Sequence, residues 1–454
     1  MLGLGFGDCG KGRAIDTLTR RWQAHTIVRF SGGAQAGHNV VAAAEAGAPG
    51  RHHTFSQFAA GTLVPATRSL LLDPMVLHPT GLLAEAEALS RIGIGDALSR
   101  VLIDGQCRIT TPFHQAAGRL RELARGTAAH GTCGIGVGET VRLGLEKPEL
   151  TLRYGELSPA TAAQARVLVE KLQEIRETLL AEFLPPDSVA AGGKWGMELQ
   201  ALRDEFLAAR WLSVARALAR QCVPASTAMI ATQLTRPGCV LFEGAQGVLL
   251  DEWRGFHPHT TWSSITTAAV ESAVARFHLA APFEHYGVLR TYLTRHGAGP
   301  LPTYDVALDD ALPEPHNLGD GWQGRFRRGH PDSVLLRYAL AAVGSLSGLI
   351  VTHLDVFQRG ISLRWCERYA IDSPSANQSF VDELPVGALG DLQHQATLTK
   401  LLENALPQYS ENAIESARKY LERLAGVTEL PVILRSYGSV GVALDSPDRN
   451  RTIA

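Results

Sequence analysis

Short continuous apolar runs alternate along this chain with longer stretches in which apolar side chains return every three or four positions. Thr26 to Phe30, Leu70-Leu71-Leu72-Asp73, Val101-Leu102-Ile103-Asp104, Cys239-Val240-Leu241-Phe242-Glu243, Gly287 to Thr294, Leu349-Ile350-Val351 and Pro431 to Leu434 are runs of the first kind. Apolar runs without alternation predict strands buried on both faces. Met1 to Gly5 completes a further strand, and Gly12 to Trp22 follows as a helix with Ile15, Leu18 and Trp22 on one face. Leu82 to Ile92 and a segment from Asp332, as cap, to about Val343 are helical, and Ser410 to Leu424 reads as an amphipathic helix closed by Gly426. Strand, helix, strand spacing predicts an α/β fold with a large, mostly parallel central sheet flanked by helices, its active loops at the carboxyl ends of the strands.

One region breaks the alternation. From Leu157 to Leu184, with Ser158 as cap and Pro159 in the first turn, Val167, Leu168, Leu172, Ile175 and Leu179 repeat at helical spacing, and Glu198 to Gln221 is helical again. Pro185-Pro186 and Gly192-Gly193 mark the link between them. The expectation is a single catalytic domain, 1–454, with a helical excursion over about 157–222.

Composition narrows the class. With 454 residues, 45% hydrophobic, and a formal charge of −2, the chain can bury a large core and has no electrostatic case for nucleic acid or an anionic membrane. Six cysteines without a C-x-x-C pair suggest neither zinc knuckle nor disulfide framework, and a reducing cytoplasm fits best. No run of 18 apolar residues exists to span a membrane.

Chemistry concentrates in the first forty residues. Gly5-Phe6-Gly7-Asp8-Cys9-Gly10-Lys11-Gly12-Arg13 has the G-x-x-x-x-G-K spacing of a phosphate-cradling loop, placed between strand and helix, where a helix N-terminus favours an anion. Gly12 stands where a Ser or Thr would hold Mg²⁺, so Asp8 is the candidate metal carboxylate. A second glycine-rich turn, Ser31-Gly32-Gly33-Ala34-Gln35-Ala36-Gly37-His38-Asn39, brings His38 beside that loop, and Asp8 and His38 form a candidate acid/base pair. His257 and His259 suggest metal by composition alone, at a spacing that is unspecific on a loop. Arg325, Arg327 and Arg328 bracket Phe326, either as a solvated charge run or as a clamp for carboxylates.

Gly7-Asp8-Cys9-Gly10-Lys11-Gly12 and Gly32-Gly33-Ala34-Gln35-Ala36-Gly37-His38 resemble the two N-terminal signatures of adenylosuccinate synthetases, G-D-E-G-K-G and G-G-H-N-A-G-H. The resemblance continues in order through Gly131 to Gly138, Phe242-Glu243-Gly244-Ala245-Gln246-Gly247, Thr294-Arg295-His296-Gly297-Ala298-Gly299-Pro300, Gly324 to Arg328 and Thr352-His353-Leu354-Asp355. It implies a P-loop-like, GTPase-related ligase fold and a homodimer that joins aspartate to IMP through 6-phosphoryl-IMP, with GTP as co-substrate and Mg²⁺ on Asp8 and the Gly37 carbonyl. Asp8, His38 and Lys11 would be catalytic. Gly7, Gly10, Lys11, Gly12, Arg13, Gly37, His38, Asn39, Arg327, His353, Leu354, Asp355, Ser436, Tyr437 and Gly438 would hold GTP, with Asp355 reading guanine. Asp8, Gln35, Thr132, Cys133, Gln246, Leu250, Arg325 and Thr261, or Thr260 beside it, would hold IMP, with Arg142 reaching from the partner subunit. Gly321, Trp322, Gln323, Gly324, Arg325 and Arg327 would hold the amino acid. The ligand loops are then about 31–39, 131–142, 244–261, 321–328 and 436–449.

The chain departs from that pattern at several of these positions. Ala34 and Gln35 replace a histidine and an asparagine, Cys133 replaces a hydroxyl, Trp322-Gln323 replace two threonines, and His353 replaces a lysine. Pro447-Asp448-Arg449 comes eight residues late, after Ser439 to Ser446. The family carries several more residues of first strand, so the resemblance also implies that this strand is partly missing here. Two alternatives follow: a paralogue using the same activation on another purine nucleotide or amino acid, and a catalytically weak nucleotide-binding regulatory protein. Retained Asp8, Lys11, His38 and Asp355 argue against the second.

Overall fold

The computed structural model describes residues 1–42, 50–183, 193–279, 282–314, 317, 321–371, 379–438 and 441–443. Pro185-Pro186, Gly192 and Pro447-Asp448-Arg449 lie outside the described residues. Val101–Ile103, Arg68–Leu71, Thr26–Arg29 and Val240–Glu243 form, in that order, a four-stranded parallel sheet. A second sheet runs Leu2–Gly3, Tyr286–Arg290, Gly348–Thr352 and Val432–Tyr437, all parallel, and closes with the antiparallel strand Gly441–Ala443. The first strand stitches the two together: the Met1 amino group donates to the Phe242 carbonyl at 2.8 Å and Gly244 N–H to the Met1 carbonyl at 3.1 Å. The result is a mostly parallel central sheet with its first strand in the middle.

The pleat explains the double burial. Ile27, Leu71 and Ile350 enter one apolar cluster, while their neighbours Val28, Leu70 and Val351 enter another on the opposite face, as successive side chains of a strand must. Helix Lys11–Trp22 packs on the first face and helix Ser333–Val343 on the second. Asp332 caps the latter, its carboxylate accepting from the Val334 and Leu335 N–H groups at 3.0 Å each. Among the described residues, no helix is long and apolar enough to cross a membrane.

Several predicted boundaries move for local reasons. The helix expected from Ser158 runs over Ala162–Ala181, because Thr161 and Gln164 form a reciprocal capping box; Pro159 stays outside it. Leu168, Leu172, Ile175 and Leu179 form its buried face, and Val167 is exposed. The next stretch is two helices, Gly193–Arg203 and Leu207–Gln221, broken where the Asp204 carboxylate accepts from Phe206 N–H at 2.9 Å. The run Gly287 to Thr294 is also two elements: after Arg290 the chain leaves the sheet, and Leu293–His296 pairs antiparallel with Phe326–Gly329. The helix expected from Ser410 is Ala417–Ala425, capped by Ser416, since Leu406–Tyr409 is a strand against Cys366–Ile371 and Ile414 is bonded to Leu363. Val432–Tyr437 extends beyond Leu434, and Gly441–Ala443 rather than this strand comes last.

Candidate active site

Strand Leu2–Gly3 ends in a loop that only small or accommodating residues permit. Gly7 and Gly10 have φ of 91° and 82°, and Asp8 has φ of 47°, all in the left-handed region. A Cβ on Gly10 would lie 2.9 Å from the Thr352 side chain. Gly10 is the N-cap of helix Lys11–Trp22 and offers no side chain to cap it, so the helix presents its first N–H groups to the cavity. Lys11 is 3% exposed, with Nζ 3.5 Å from Cys9 Sγ.

His38 opens strand His38–Ala42 instead of sitting in a turn, and it is buried. Its Nδ1 meets the fully buried Glu243 carboxylate and its Nε2 lies 3.0 Å from the Ala245 carbonyl. Both partners are acceptors, so a neutral ring satisfies one and a protonated ring both. Burial pushes the ring below its ordinary 6.5 against the pull of Glu243. Glu243 is held below its ordinary 4.5, burial being outweighed by His38, Arg29 and the Ala60 N–H that donates at 3.0 Å.

These groups open onto a cavity of about 910 Å³. Its wall brings together Asp8, Gly10, Lys11, Gly12, Arg13, Gln35, Gly37, His38 and Asn39 with Thr132, Cys133, Arg142, Gln246, Leu250, Thr260, Thr261, Gln323, His353, Asp355, Ser436 and Gly438. Asp355 Oδ1 is buried and accepts no hydrogen bond, beside Gly438, an orphan acceptor awaiting a donor. His353 is pushed well below 6.5 by burial and by Arg290, and its Nδ1 is 2.8 Å from Thr352 Oγ1. It does not supply the cation a lysine would.

Other expected residues are placed elsewhere. Gly7, Gly321, Trp322, Gly324, Arg325, Arg327, Leu354 and Tyr437 do not line the cavity. Arg325 pairs with Asp309 at 2.8 Å and is largely exposed, and Arg327 donates to the Gly299 carbonyl at 2.8 Å. Trp322 lies between cations, 5.5 Å from the Arg119 guanidinium and 5.3 Å from Lys194 Nζ, while Gln323 donates to Cys133 Sγ at 2.9 Å. Arg142 is pinned within its own chain by Glu139 and Glu182, each at 2.9 Å, and by Glu146, which raises its pKa.

Glu243, Arg295 and His296 lie in segments that carry the resemblance yet were given no site role, and Arg290 was not singled out; Glu243 and Arg290 each close an apolar strand and read as core, so the available signal is an ionisable residue closing such a run. Arg295 is 1% exposed, donates to the carbonyls of Ala298, Pro300 and His259, and lies over the Phe6 ring. Burial pulls it down to about 9. Among the described residues, no group of three or more His, Cys, Asp or Glu is placed to hold a metal, His257 and His259 included. Asp8 and Gly37 line the cavity beside the phosphate loop, and a carboxylate with a backbone carbonyl is a hard-oxygen set suited to Mg²⁺, which takes few protein ligands when phosphates supply the rest.

Family comparison spans the whole sheet. The pattern of adenylosuccinate synthetase matches residues 1–443. The chain belongs to the adenylosuccinate synthetase family. It is therefore a ligase of purine nucleotide biosynthesis, in a family that uses GTP and Mg²⁺. Adenylosuccinate synthetase of Vibrio parahaemolyticus is 31% identical over 473 residues, covering 100% of this chain and 97% of its own length. Adenylosuccinate synthetase 1 of Pseudoalteromonas translucida is 30% identical over 471 residues, with the same coverage. The fully ligated structure of the Plasmodium falciparum enzyme shares the fold with a TM-score of 0.73 at 20% identity, covering 97% of each chain. Succinoaminodeoxyadenylate synthetase of cyanophage S-2L, solved with dGMP and with dATP as energy donor, shares it with a TM-score of 0.57 at 16% identity over 99% of this chain and 95% of its own.

Proposed function

We propose that the cavity joins L-aspartate to IMP at the expense of GTP, in two steps. The observation that carries the reading is the convergence of Asp8, Lys11, His38 and the orphan Asp355 oxygen on one cavity at the carboxyl ends of parallel strands. Asp8 takes the N1 proton of the purine as O6 attacks the γ-phosphorus of GTP and GDP leaves; His38 lies against that transfer, and Lys11 neutralises the moving phosphoryl group. The free amine of aspartate then forms a bond to C6, the C6–O6 bond breaks, and the phosphate departs with the proton that the amine gives up. Asp8 and the Gly37 carbonyl would hold Mg²⁺, which when bound neutralises the triphosphate. Asp355 accepts from the N1–H and exocyclic amine of guanine, which sets GTP apart from ATP. Gln35, Thr132, Cys133, Gln246, Leu250 and Thr261 hold the IMP end.

The reading includes a cytoplasmic homodimer: six free cysteines suit a reducing compartment, and Arg142 reaches a partner's nucleotide only by giving up Glu139, Glu146 and Glu182 of its own chain. Sedimentation at varied concentration tests the dimer, and a monomer at all concentrations refutes it. Arg325 and Arg327 serve the amino acid only if the loop 321–328 turns inward, giving up Asp309 and the Gly299 carbonyl.

A second reading, another amine donor or purine nucleotide, is favoured by Trp322 pointing toward the helical excursion and by Gln323 in its place at the cavity wall. Turnover measured with IMP, GMP and deoxynucleotides against several amino acids decides between them. The first reading requires IMP with aspartate to give the highest kcat/KM, and another pair ahead of it establishes the second.

A further inference from the structure

Asp8 holds a left-handed backbone with φ of 47°. A non-glycine residue pays for that conformation and keeps it only where its surroundings fix it. The fixing group comes from a different strand. Strand Tyr286–Arg290 runs parallel to Leu2–Gly3, with Gly3 opposite Val288 and Leu4 N–H donating to the Val288 carbonyl at 2.9 Å, so Arg290 arrives beside the phosphate loop. Its Nη1 donates to the Asp8 carbonyl at 3.1 Å.

Arg290 is itself held. Its Nη2 donates to Tyr292 Oη at 2.6 Å, the guanidinium lies 4.4 Å from the centre of the Tyr292 ring, and the Glu314 carboxylate pairs with the same nitrogen. The side chain is 4% exposed, and Arg290, Tyr292 and Glu314 all line the cavity. A planar fork suits this arrangement, since one edge can grip a carbonyl while the other is anchored. An ammonium offers no such fixed pair of directions.

We propose that Arg290 is the positioning residue for Asp8: it clamps the carbonyl of residue 8 and so aims the carboxylate at the purine. Arg290 touches no reacting atom and acts through the backbone. The inference rests on the reading of Asp8 as the proton acceptor.

Steady-state kinetics with GTP, IMP and aspartate test it on Arg290→Ala, Arg290→Lys, Asp8→Asn and the double variant. Arg290→Ala lowers kcat by about 10²-fold, the scale of an ångström-sized misplacement, with KM for IMP and GTP within about threefold. Added guanidinium restores part of that kcat, and Arg290→Lys falls between Arg290→Ala and the parent. In the Asp8→Asn background the same change costs little more, because the group being aimed is already gone. Should Arg290→Ala fail to fold, Tyr292→Phe removes one anchor, and its kcat falls several-fold at unchanged KM. A kcat for Arg290→Ala, or for Tyr292→Phe in its stead, equal to the parent overturns the clamp. So does a loss that is fully additive with Asp8→Asn and indifferent to guanidinium. Turnover kept by Asp8→Asn overturns the reading of Asp8, and the clamp with it. Turnover lost by Asp8→Asn and kept by Arg290→Ala overturns the clamp alone.

Discussion

The two ends of the cavity are built differently. At the phosphate end, the groups that hold the site in place close buried parallel strands: Glu243 under His38, Arg290 against the Asp8 carbonyl, Thr352 against Gly10. At the donor end, the loop 321–328 leads into one strand of a two-stranded antiparallel sheet, and its arginines have gone to Asp309 and to the Gly299 carbonyl. Geometry at the first end is over-determined by the sheet. At the second it is set by whichever partner a long side chain finds.

That contrast can be broken by substitution. Asp8→Asn is expected to have the largest effect, lowering kcat by about 10³-fold in the GTP, IMP and aspartate assay. Next, Asp355→Asn should raise KM for GTP by about 10²-fold with little change in KM for IMP, because a guanine N–H loses its acceptor. GTP binding that survives this change would mean that the orphan oxygen faces something else.

Glu243→Ala strands a buried imidazole and should cost about 3 kcal/mol or more in urea unfolding, the penalty of breaking a buried pair. The pH dependence carries the same signature. His38 is held below 6.5 and Glu243 below 4.5, so the unfolded chain binds more protons at both. Stability contributed by the pair is therefore complete above about pH 6.5 and is lost as pH falls through the two folded-state values. Smallest of all, Arg325→Ala should alter stability by less than about 1 kcal/mol, since its ion pair is exposed, while raising KM for aspartate if the donor loop turns inward. An unchanged KM would assign the donor carboxylates to other groups.

The same contrast governs how much could be read from residues alone. The strands were legible because burial on both faces removes polar positions, and the phosphate loop because three glycines and a lysine at fixed spacing leave few alternatives. Boundaries failed where a distant partner decides them: Ser410 reads as a helix start until Trp365 takes its N–H at 2.9 Å. Glu243 and Arg290 looked like the polar ends of core strands, and nothing local reveals that one faces His38 and the other Asp8. Arg325 was legible as a cation but its destination was not, because Asp309 lies sixteen positions away across a segment with no regular spacing.

The seam at the first strand has a consequence for how the ligands speak to each other. His38 and Gln246 lie on segments that follow strands of the four-stranded sheet, and Asp355 and Ser436 belong with the five-stranded one, the two sheets meeting at Leu2 and Gly3. A purine nucleotide and a guanine nucleotide meeting across that line act as a staple, so filling one seat should tighten the other by the same factor in either order of addition.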